Sequence, residues 1–293
     1  MQRLRIRHET TYDYPQPVTF GPWRLIMRPA DSHALRVIEA SLTFSPTGVT
    51  RWTSDAYGNS ICVLEPQGAA TRLSVVNDLL IDRFPNPLLP ETRDDPRSTT
   101  PILYDPLDVA ALSPYMLLAT DDTEAQYVEW LKAVSVPHGA LALEQLQRIN
   151  TAIHTQFSYG AREEEGVQSP AETVWLGRGT CRDFAWLMIE SARRLGFAAR
   201  FVTGYIYSPS ASHQGAGATH AWCEVFLPGL GWVEFDPTNG LTESHDLIRV
   251  AATRTPEEAS PMSGVVLGGA RATMTVSVSV DAPQSGGSRT SVA

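Results

Sequence analysis

The chain is poor in cysteine. It has three, at Cys62, Cys181 and Cys223, in 293 residues. An odd, widely spaced set is no disulfide framework and leaves thiols free for chemistry. No run approaches the ~18–20 apolar residues that a membrane-spanning helix needs. The start, MQRLRIRHETTYDY, is basic but has no apolar stretch of the kind a secretory signal carries. Together these absences lead us to expect a cytoplasmic protein with no membrane partner. Positive charge is also short: 23 Lys and Arg stand against 32 Asp and Glu, a formal net charge of −9. That argues against nucleic acid or anionic lipid as a partner. What is present is ordinary globular composition, 43% hydrophobic and 19% charged, on a chain long enough for about two domains.

Residues 1–82 read as β. LRIRHETTYDY alternates, and ALRVIEASLTFSP, RWTSDAYGNSICVLEP and TRLSVVNDLLID follow with turn signals between them. Several short strands at this spacing suggest a small all-β sandwich or barrel. A segment dense in proline and charge, 83–121, then connects to a second region, expected over 122–250, as an ordered strap with apolar surface to bury. Residues 122–156 carry a helical pattern, with Leu143, Leu146, Ile149 and Ile153 on one stripe. Three strand-like runs, AARFVTGYIYS, HAWCEVFL and GWVEFDPT, come later, and helices followed by strands imply an α+β domain. Within a C-terminal extension, 251–281, ATMTVSVSV (Ala272–Val280) reads as a strand. Residues 282–293 read as a disordered tail.

Between helices and strands lies GRGTCRDFAWLMIESARRLG, Gly177–Gly196. Thr180 followed by Asp183 fits a capping box, which puts Cys181 at the first position of a helix that Gly196 ends. Phe184, Leu187, Met188, Ser191 and Leu195 fall on its inward face, while Arg182, Arg193 and Arg194 fall away from it. A helix N-terminus offers unpaired N–H groups and partial positive charge, which favour a thiolate and can hold an oxyanion beside it. A lone cysteine there is still most simply a small buried residue; partners are needed to make it a nucleophile. His220 opens the strand HAWCEVF and shares a face with Trp222 and Glu224. LPGLG should fold this strand into a hairpin with GWVEFDP centred near Gly229, setting Asp236 opposite Trp222 on the His220 face. Nucleophile, base and orienter then occur as Cys181, His220 and Asp236. Zinc would use the same residue types, but His220 and Cys223 face opposite ways on one strand, and no second Cys/His pair completes a site.

The blocks GRGTCRDFAWLMIESARRLGFAARFVTGY and HAWCEVFLPGLGWVEFDPTNG resemble the core of the transglutaminase-like superfamily over roughly residues 150–240. YDYPQPV and DAYGNSICVLE are similar to the β-rich N-terminal domain of bacterial transglutaminase-like proteins, and the C-terminal part is similar to theirs. One departure is the run ATRTPEEASP, where such proteins often have GRDY-x-DV-x-P. The resemblance implies an α+β, papain-like core preceded by the all-β domain, with Cys181 as nucleophile, His220 as base and Asp236 as orienter. It implies acyl transfer from the amide of a peptide or protein substrate through a thioester. Water as acceptor gives a cysteine peptidase or amidase, the leading reading; an amine gives a transglutaminase; a binding scaffold that kept the fold is the reading outside enzymes. The backbone N–H of Cys181, the side chain of Tyr159 and that of Gln156 are the candidate oxyanion donors. Trp175 and Trp222 are candidate cleft walls. No calcium-loop pattern is present, and neither metal nor cofactor is expected.

Overall fold

The computed structural model describes residues 1–84, 98–160, 162, 166–210, 212–268 and 271–283. The strap is thus seen from residue 98 onward, and the expected tail from residue 284 onward lies outside the described residues.

The first region is all-β, built as one curled antiparallel sheet around a long first strand. β1 (Gln2–Arg28) is its spine. Its first half alternates strictly: Leu4, Ile6, His8 and Thr10 point inward, while Arg3 and Arg5 point out to Asp82 and Asp78 of β5. β2 (Leu35–Ser45), β3 (Gly48–Ser54), β4 (Ser60–Pro66) and β5 (Ala69–Arg83) give the order β2-β5-β1-β4-β3. The register between β1 and β5 shifts between Asp13 and Val18, where Pro15 and Pro17 cannot donate ladder hydrogen bonds. The sheet curls over a core that includes Trp23, Leu25, Cys62, Leu64, Leu73 and Val75.

The strap contains α1 (Pro106–Met116), opened by an Asp105 cap. α2 (Ala125–Val134), α3 (Ala142–Gln156), the two-residue β6 (Ser158–Tyr159), α4 (Pro170–Leu176), β7 (Arg178–Gly179) and α5 (Cys181–Arg194) follow. β6 and β7 pair in parallel, which brings the end of α3 beside the start of α5. The strands β8 (Ala199–Ile206), β9 (His220–Leu227), β10 (Gly231–Asp236), β11 (Leu241–Thr242) and β12 (Leu247–Thr253) make a five-stranded antiparallel sheet in the order β11-β10-β9-β8-β12. α5 packs Phe184, Leu187 and Met188 onto one face, against Ala221, Cys223 and Val225. Burying each large apolar side chain there contributes about 1.5–3 kcal/mol. The other face meets the first sheet through Tyr205, Ile248 and Val250 against Leu4, Ile6, Leu79 and Ile81.

Two features differ from expectation. The C-terminal strands β13 (Met262–Leu267) and β14 (Thr273–Asp281) do not form an appendage; both pair with β1 and complete the first sheet. Arg193, which falls away from the inward face of α5, is nonetheless buried in an ion pair with Glu190 at 2.8 Å and donates to the carbonyls of Tyr115, Ala199 and Arg254. The strap and the segment after β12 cover the helix face that the local pattern leaves open.

Candidate active site

Cys181 is the first residue of α5. Thr180 is extended at φ −90° and ψ 175°, and its side chain and that of Asp183 complete the reciprocal box. Asp183 is fully buried and serves more than the cap. One oxygen accepts from Thr180 N and Oγ1; the other accepts from Gln168 N at 2.8 Å and Arg162 Nη2 at 3.2 Å. Gly179 is required beside it, because a Cβ there would lie 2.9 Å from Asp183 Cβ. The nucleophile candidate therefore sits on a locked helix start, 8% exposed.

β9 and β10 pair with Phe235 opposite Cys223 and Glu234 opposite Glu224, across a turn at Gly229 with φ 79°. One step further along this register Asp236 falls opposite Trp222, diagonal to His220. His220 Nε2 lies 2.8 Å from Asp236 Oδ2, and both side chains are fully buried. Asp236 also accepts from Asn239 Nδ2 at 2.8 Å and from Thr238 N at 3.0 Å. Nδ1 of His220 is buried with no hydrogen-bond partner among the described residues, which leaves it as the ring nitrogen available to the sulfur. Burial is the largest single influence on the His220 pKa and pulls it down. The charge and hydrogen bond of Asp236, followed by Cys181 close by, together outweigh it and raise the pKa to about 10. Burial likewise pushes Asp236 up, and the imidazolium with the hydrogen bonds from His220, Asn239 and Thr238 holds it below its ordinary range.

Tyr159 is near enough to Cys181 for the two to interact electrostatically. Its phenol is pushed up to about 12, chiefly by burial, with repulsion from Cys181 and Asp236 adding to it. It is a protonated donor at neutral pH, 37% exposed, with its ring against Phe184. Gln156 is not gathered into this group; its Oε1 accepts from Trp130 Nε1 at 2.9 Å. Trp175 is 71% exposed at the end of α4, without a ring partner among the described residues. Trp222, expected at a cleft wall, is instead fully buried behind the histidine. It stacks on the His220 ring at 5.9 Å, and its Nε1 donates to Glu234 Oε1 at 3.3 Å. Gly204 opens room for it, since a Cβ there would lie 2.8 Å from the indole. Cys223 points to the opposite face, with its Sγ on Phe235 O, so it does not join His220 in a ligand pair.

Residues 132–237 match the transglutaminase-like superfamily, and residues 4–82 match the bacterial transglutaminase-like N-terminal region. The chain carries a transglutaminase-like core behind a bacterial transglutaminase-like N-terminal region. It is 28% identical over 289 residues to the uncharacterized protein Rv2569c of Mycobacterium tuberculosis, covering 90% of this chain and 87% of that one. It is 25% identical over 276 residues to the uncharacterized protein ML0607 of Mycobacterium leprae, covering 92% and 94%. Among solved structures, a proposed cysteine protease from Cytophaga hutchinsonii has the same fold at a TM-score of 0.70 and 20% identity, over 95% of this chain and 90% of that one. Cys181, His220 and Asp236 lie in, or within, the stretch matched to the transglutaminase-like core.

Two contributors were not anticipated. Asn239 holds Asp236, and Gly215 packs on His220. The motif DPTN displays the first as a turn former, whereas nothing local marks the second. The departing loop, Ala252–Pro261, packs behind the nucleophile: Arg182 Nη2 donates to Pro256 O at 2.9 Å.

Proposed function

We propose that this protein cleaves peptide or protein amides by acyl transfer to Cys181, with water as the acceptor. The observation that carries the reading is the buried His220–Asp236 pair at 2.8 Å, with Nδ1 left unpartnered among the described residues and Cys181 near it at a helix start. In the proposed cycle the thiolate of Cys181 attacks the amide carbonyl. The oxyanion meets the first N–H groups of α5 and the phenol of Tyr159. The imidazolium gives its proton to the leaving amine, and the thioester remains on Cys181. Neutral His220 then takes a proton from water, whose oxygen attacks the thioester carbonyl. The C–S bond breaks and the carboxylic acid leaves. Asp236 fixes the tautomer and stabilises the charged ring throughout.

The test is a panel of peptidyl-coumarin amides, run with and without a primary amine, with the Cys181 adduct followed by intact mass. Hydrolysis predicts a transient acyl adduct on Cys181, loss of turnover in Cys181→Ala and His220→Ala, and free acid as product even when amine is present. Amine incorporation would instead assign a transglutaminase. Absence of any acyl adduct across the panel, with Cys181 still unreactive to a small acyl ester, would favour a binding scaffold.

A further inference from the structure

Asp236 shares Oδ2 between two donors, His220 Nε2 and Asn239 Nδ2, each at 2.8 Å. The same Asn239 amide also grips the loop that runs from β8 into β9. Its Oδ1 accepts from Gln214 N at 2.8 Å, and its Nδ2 donates to Gln214 O at 3.3 Å. A planar amide that meets both main-chain groups of one residue acts as a one-residue strand edge, and it fixes that residue in position and rotation. The next residue is Gly215, at φ +85°. A Cβ on it would lie 2.6 Å from His220 Nδ1 and 3.3 Å from Cε1, so it packs closely against the ring nitrogen that has no hydrogen-bond partner among the described residues. Three further ties hold the loop: Tyr207 N to Asp246 O at 2.8 Å, His213 Nε2 to Asp246 Oδ2 at 3.0 Å, and Val278 N of β14 to Gly217 O at 3.0 Å. Of these ties, the Asn239 amide is the one that also touches the acid of the candidate triad.

We propose that Asn239 is a positioning residue that locks the Gln214–Gly215 segment to the Asp236–His220 pair, so that Gly215 forms a fixed wall over His220 Nδ1 and reserves that nitrogen for the Cys181 sulfur. This rests on the reading of Cys181, His220 and Asp236 as nucleophile, base and orienter. Asn239 touches no reacting atom. It acts by aiming Oδ2 at Nε2 and by holding Gly215 over one side of Nδ1, so that this nitrogen stays open only on the Cys181 side, to the sulfur and then to the water that attacks the thioester. Glycine is required at 215 for two independent reasons: the positive φ, and the lack of room above a ring that Asp236 and Trp222 hold from two other sides.

The experiment is the rate of Cys181 alkylation by iodoacetamide in the full chain from about pH 4 to 10, with Cys62 and Cys223 as internal references and thermal unfolding in parallel. For Asn239→Ala, the pH of half-maximal alkylation should rise by about one unit and the rate at pH 7 should fall about tenfold, the size of one lost hydrogen bond to an ionised group. Gly215→Ala should shift the profile in the same direction. Asn239→Asp keeps the acceptor for Gln214 N but sets a second carboxylate against Asp236, so it should be no better than alanine. A residue that merely shapes the turn would lower the unfolding temperature and leave the pH profile in place. Profiles of Asn239→Ala and Gly215→Ala that superimpose on the parent, while Asp236→Asn shifts, overturn the role of Asn239 and leave the triad standing. An unchanged profile in Asp236→Asn and His220→Ala overturns the triad and this inference with it. Should Asn239→Ala fail to fold, Gly215→Ala and Asn239→Asp decide the matter by the same profile.

Discussion

His220 keeps its proton at neutral pH because of what surrounds it. Its pKa in the fold is about 10, against an ordinary value of 6.5. The native state therefore binds a proton that the unfolded chain has released across that interval. The stabilisation is fully present below pH 6.5 and is lost as pH rises toward 10. Urea unfolding at a series of pH values should show this fall, on the order of 2–4 kcal/mol in total, and His220→Gln should flatten it. Asp236→Asn, which removes the charge that sustains the imidazolium, should flatten it as well. At this scale the sequence was readable where a residue has a local reason for its place. Thr180 and Asp183 announce a helix start at Cys181, and strand alternation with a three-residue turn brings Asp236 to His220. Gly215 had no such mark, because its partner is reached through a loop whose path no periodicity encodes. Trp222 could be placed on the His220 face, but whether that face opens to solvent depends on Val202, Ile206, Leu241, Leu247 and Ala252, which enclose it from β8, β11 and β12.

Helix α5 does its work at its first turn. The Thr180–Asp183 box fixes the direction of the leading N–H groups and with it the setting of the sulfur. Thr180→Ala should lower stability by about 1 kcal/mol, read as a shifted urea midpoint at unchanged slope, and should slow Cys181 alkylation at neutral pH. Asp183→Ala should cost more, about 3 kcal/mol, because it strips a buried acceptor from Gln168 N and leaves Arg162 without its carboxylate. The helix itself was legible from its cap, its apolar stripe and its closing glycine. Its outer face was not: three arginines there fall away from the apolar stripe, yet Arg193 is enclosed with Glu190. A helical pattern reports which side is apolar, and it is silent on whether a polar side will be met by carbonyls from elsewhere in the chain. The hairpin of β9 and β10 was legible down to its register, because the turn residues Pro228–Leu230 and the alternation on either side agree.

Across the whole molecule, the two sheets meet at a buried histidine. His8 of β1 bonds Tyr205 Oη of β8 through Nδ1 at 3.0 Å and Thr10 Oγ1 through Nε2 at 3.0 Å. Burial lowers its pKa to about 4, so it is held neutral. The sign is opposite to that of His220. The stabilisation is present above pH 6.5 and is lost as pH falls toward 4. Mild acid should therefore loosen the contact between the sheets, and thermal unfolding followed by tryptophan fluorescence should show a drop in midpoint over that interval that His8→Gln reduces. The division into a β-rich first region and an α+β second region was visible in the change of periodicity. The return of β13 and β14 to β1 was not, because pairing between strands nearly a whole chain apart leaves no local trace. That return makes the α+β region an insertion inside the β region. In a chain made from the N-terminus, β1 to β5 emerge first but lack two of their partners. The helices and the second sheet have to be made, and can fold, before the first sheet can close. Because β14 also bonds Gly217, a strand translated after both regions is the one that ties the loop beside His220, so that loop is fixed only once β14 has been made.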